Sequence, residues 1–133
     1  MHSKFSHIII LFSLIMNTSC KNEVVCQVDE QSRGSLIYNI DEASCFIALR
    51  LKETAPELAL IREALFQEEK YMIKIGIITE DTTIDNEETD IVLDFDKLIQ
   101  FAQDNMDNSL SKEQLEIIYE TENEYLQFIG SID

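Results

Sequence analysis

Two four-residue signatures constrain this chain most: Thr54-Ala55-Pro56-Glu57 and Ser111-Lys112-Glu113-Gln114. Each has the Ser/Thr-x-x-Glu/Gln spacing of a capping box, in which two side chains satisfy amides that a helix N-terminus leaves open. Apolar residues then recur at helical spacing. Leu58, Ile61 and Leu65 follow the first box, and Leu115, Ile118, Tyr119, Leu126 and Ile129 follow the second. Pro56 falls in the expected first turn, where its missing N–H costs little. A third stripe, Phe95, Leu98, Ile99, Ala102 and Met106, comes after Asp94 and Asp96, either of which can cap it. Asp41 offers a cap for a helix through Phe46, Ile47 and Leu49 to about residue 53, although Ile47, Leu49 and Leu51 also alternate as a strand would.

Other segments carry a period of two. Tyr71, Ile73, Ile75 and Ile77 fall on one face and predict a strand over residues 71–78. Residues 91–93 predict a second, and residues 36–40, after the turn signal Ser32-Arg33-Gly34-Ser35, a third. Residues 24–28 form a short fourth candidate. Helices beside short strands predict an α+β domain, with helices packed on a small, mainly antiparallel sheet. There is no internal repeat and no second domain.

The N-terminus is organised differently. Residues 1–7 are weakly basic, residues 8–16 are an apolar run interrupted only by Ser13, and Asn17-Thr18-Ser19 leads into Cys20. A run this short cannot span a bilayer, which takes about 20 apolar residues. The segment resembles a bacterial lipoprotein signal peptide, with Asn17 standing where a strict lipobox has Leu. The resemblance implies removal of residues 1–19 and acylation of Cys20, with the protein anchored by lipid in the cell envelope, at the outer membrane and facing the periplasm or the surface. Plain secretion after cleavage at Ser19 is the alternative. Residues 20–31 are then a tether, and residues 32–133 one globular domain.

Charge narrows the partners. The mature chain holds nine basic and 26 acidic side chains, a net −17. Nucleic acid is excluded as a partner, because phosphate binding needs Lys and Arg, and the membrane is reached through lipid only. A basic protein is the partner that electrostatics favours. Both histidines, His2 and His7, lie in the leader, which removes His-based catalysis and His-ligated metal from the mature chain. Gly34, Gly76 and Gly130 are too far apart for a phosphate-cradling loop. No catalytic residue, metal ligand or cofactor is expected. An enzyme built only on carboxylates would need two close acids in a concave pocket, one with a raised pKa. Cys26 and Cys45 either form a disulfide, as an oxidising envelope favours, or stay as thiols with Cys45 in the core.

Residues 80–90 hold six acids and no base. Asp81, Asp85, Glu87, Glu88 and Asp90 are the expected partner-binding residues, steering a basic surface onto the domain. The EF-hand spacing fails, since Asp90 stands where Gly is required. The expected function is that of a lipid-anchored inhibitor or immunity-type protein that neutralises a basic secreted toxin or hydrolase. The alternative is an accessory lipoprotein of a larger envelope assembly.

Overall fold

The computed structural model describes residues 25–78 and 91–133. All their regular structure is helical: α1 Ile40–Leu51, α2 Leu58–Lys74, α3 Phe95–Asn105 and α4 Lys112–Phe128. Short 3-10 turns occur at Glu30–Ser32 and Lys52–Thr54. The expected α+β fold is therefore overturned, because no strand forms among the described residues.

The reasons are local. Residues 71–78 are the end of α2. Ile61, Leu65, Glu68, Met72 and Ile75 step by four and three, so the helical period runs straight through the alternating residues. Gly76, seemingly in the middle of a strand, is the helix stop. At φ 84° its N–H donates to the Ile73 carbonyl at 3.1 Å, and the Ile77 N–H donates to the Met72 carbonyl at 2.9 Å. Those two bonds make a Schellman motif. Gly130 ends α4 in the same way. Residues 36–40 are not a strand either. The amides of Gly34 and Leu36 donate to the carbonyls of Phe128 and Ile129 at 3.0 and 2.9 Å. They satisfy acceptors that the end of α4 leaves open. Residues 25–29 and 91–93 are irregular.

The caps were partly legible. Ser111 and Gln114 form the expected reciprocal box, and Asp94 caps α3. Asn39 caps α1 in place of Asp41, accepting from the amides of Asp41 and Glu42. The Thr54–Glu57 box does not form. Thr54 as cap would require Ala55 to be helical, but a residue before proline is pushed toward extended backbone, and Ala55 sits at φ −66°, ψ 131°. The Thr54 hydroxyl turns back to the Leu51 carbonyl, and α2 begins only at Leu58.

Helices α2 and α4 are central, each packing on all three others. Ile61, Ala64, Leu98, Ala102, Ile118 and Tyr125 are fully buried among them. The Tyr119 hydroxyl donates to the Ala64 carbonyl at 2.9 Å, tying α4 to α2. Tyr125 packs between Phe46 of α1 and Phe128 of its own helix and donates to Glu42 at 2.9 Å. Glu42 also accepts from the Ser32 hydroxyl and the Asp29 amide, so one carboxylate binds the N-terminal strap, residues 25–39, to two helices. The Cys26–Cys45 disulfide staples that strap to α1. Replacing both cysteines by serine should lower stability by about 3 kcal/mol in urea unfolding, the chain-entropy value for a loop of this size. Equal stability of the two proteins would show that the hydrogen-bonded strap holds without the bond.

Candidate functional site

Two glutamates interrupt the buried stripes of the central helices. On α4, Leu115, Ile118, Glu122, Tyr125 and Ile129 step by three and four, so Glu122 occupies a core position and is only 4% exposed. On α2, Glu68 takes the equivalent place between Leu65 and Met72 and is half-buried. Because α2 packs on α4, the two carboxyls meet and hydrogen-bond to each other. The strap adds a third group. The Tyr38 hydroxyl donates to Glu122 Oε2 at 2.6 Å, while its ring stands edge-on to Tyr125 at 5.6 Å.

These groups lie in a cleft of about 590 Å³ whose walls include Ile40, Leu65, Met72, Ile78, Leu93 and Leu126. Glu69 and Asn123 also line it, and among the described residues no basic side chain does. Burial in these surroundings pushes the Glu68 carboxyl well above the ordinary carboxylate range, and the neighbouring charge of Glu122 and their hydrogen bond push it further. The protonated form of Glu68 is therefore favoured in the folded protein. Burial, and then the Glu122 charge, raise the Tyr38 phenol as well, so it stays a donor. Tyr125 is pushed up to about 12 by burial and its bond to Glu42.

A second depression, between α1 and α4, contrasts with this one. Its cations are already engaged: Arg50 pairs with Glu124 at 3.9 Å and lies over Phe46, and Arg33 pairs with Glu30 and lies over Phe128. Such exposed pairs contribute little.

Of the residues singled out in the sequence, Cys26 and Cys45 are brought together. Cys20 and the acidic set Asp81, Asp85, Glu87, Glu88 and Asp90 lie outside the described residues. Among the described residues no cluster of three or more His, Cys, Asp or Glu is placed to hold a metal ion, and no helix is long and apolar enough to cross a membrane. Glu68 and Glu122 were missed, though their signal was present as single acids at the core positions of two apolar stripes. Compared with known protein families, curated proteins and solved structures, the chain matches none.

The raised Glu68 value sets a pH dependence. Folding favours its protonated form, so this contribution is complete below the usual carboxylate range and is lost as pH climbs toward the raised value. Between pH 5 and pH 8, wild type should lose on the order of 2 kcal/mol more stability than Glu68→Gln, allowing for partial screening by water. Urea unfolding of both proteins across that range checks this, and superimposable pH profiles would contradict it.

Proposed function

We propose that the chain is a small, acidic, lipid-anchored envelope protein that binds and neutralises a basic secreted toxin or hydrolase by occlusion. One observation carries the reading: two carboxyls and a tyrosine hydroxyl in the lining of a largely apolar cleft, to which no basic side chain among the described residues contributes. A site of this kind suits a partner that brings both apolar surface and positive charge. The net charge of −16 on the whole chain favours the same partner at long range. The chain leaves the cleft wall at Ile78 and returns to it at Leu93, which joins Asp81, Asp85, Glu87, Glu88 and Asp90 covalently to the cleft on both sides. Steering would come from these acids, and residence time from the cleft.

The paired carboxyls also favour a second reading, a carboxylate-dependent enzyme. A carboxyl held above its ordinary range beside a second acid suits general acid–base chemistry.

Affinity capture from envelope and secreted fractions tests the leading reading. A basic protein should be retained, with association accelerating as salt is lowered. Charge reversal at Asp85, Glu87 and Glu88 should slow that association at least about tenfold at low salt. An unchanged on-rate would remove the acidic segment from the mechanism, and absence of any basic protein at low salt would overturn the inhibitor reading. In cells, Cys20→Ala should move the protein out of the membrane fraction; continued sedimentation with membranes would count against the lipid anchor.

A further inference from the structure

We propose that the cleft is built to take one cationic side chain, a lysine or arginine of the basic partner, whose charge lies between the Glu68 and Glu122 carboxyls while its methylenes line up along Leu65, Met72 and Leu126. The proposal rests on the partner reading above and names the chemistry of its anchor. Charge complementarity carries it. Among the described residues the charged groups lining the cleft are all acids, namely Glu68 and Glu69 of α2 and Glu122 of α4. Ile40 of α1 and Leu93 ahead of α3 add only apolar wall. The phenols facing Glu68 are Tyr38 from the strap and Tyr119 from α4, both neutral. An apolar wall that carries the buried Glu122 and the half-buried Glu68 matches the long side chains, whose stems are hydrocarbon and whose heads are charged. The cleft is larger than one such side chain, which leaves room for apolar residues that flank it on the partner.

Occupation changes the proton count. In the free protein burial and the neighbouring Glu122 push Glu68 toward its protonated form. When a guanidinium or ammonium enters, Glu68 releases that proton to solvent, and both carboxylates accept hydrogen bonds from the cation. One cation is bound and up to one proton is released, so binding strengthens as pH rises through the range in which free Glu68 is protonated.

The probe is n-butylguanidinium, which keeps its charge at all accessible pH values, titrated into the full mature chain and followed by amide chemical shifts. Affinity should tighten by close to tenfold per pH unit between pH 6 and pH 8, the slope for one released proton. The neutral isostere n-butylurea should bind at least tenfold more weakly at pH 8. Glu68→Gln, whose helical circular dichroism should match wild type, should bind the cation with no pH slope. Flat affinity in wild type, equal binding of the urea, or a slope retained in Glu68→Gln would each overturn the proposal. The partner reading fails separately. A captured basic protein whose affinity ignores Glu68→Gln leaves that reading standing and removes the cleft from it. A pH-dependent cleft with no captured protein keeps the chemistry and overturns the assignment of the cation to a partner.

Discussion

The contact between α2 and α4 has to accommodate two acids where an ordinary helix pair would place leucines. A buried carboxyl pair survives in such a place only by sharing a proton and by hydrogen bonding, because two desolvated charges side by side would repel. The raised Glu68 carboxyl is consistent with the first condition, and the Tyr38 hydroxyl supplies Glu122 with a donor. Apolar residues of similar size at these positions would be expected to stabilise the helix pair or leave it unchanged. The pair therefore weakens the packing at the point where the molecule opens a cleft, which is where a binding site would place such a cost.

The rest of the architecture holds that cleft in shape. The strap ahead of α1 is fixed at three places: the disulfide to Cys45, the Glu42 carboxylate, and the two amides that cap the end of α4. Its course delivers Tyr38 to Glu122. Leu36 accepts a left-handed φ of 62° in the turn, and a side chain at Gly130, itself at φ 82°, would press on the Gly34 Cα at 3.3 Å. Stability of the strap and geometry of the acid pair are consequently one problem, since loosening the first would withdraw the donor from the second.

Much of the helical content was readable from the sequence. The stripes of α3 and α4, the Asp94 cap and the Ser111–Gln114 box are local signals with a single physical outcome. The sheet was misread because aliphatic residues at residues 71–78 satisfy two periods at once; only the position of Gly76, suited to a left-handed helix stop, separates them. Thr54 and Glu57 have capping-box spacing, but Pro56 restricts Ala55 and cancels it. The site was missed for a different reason. Among 26 acidic residues two more glutamates seemed uninformative, yet their phase on the stripes, at Glu68 and Glu122, marked them as inward-facing. That Tyr38 completes the group depends on a contact 84 residues apart in sequence, which no local pattern encodes.

The most direct test of this account is a carbon-13 titration of the glutamate side-chain carboxyls in the mature chain, with Glu68→Gln to assign the key resonance. One carboxyl, absent from the variant, should remain protonated through neutral pH while the exposed glutamates titrate in the ordinary range. If every glutamate carboxyl ionised between about pH 4 and pH 5, the two acids would not share a buried proton. The cleft would then be a solvated groove between helices.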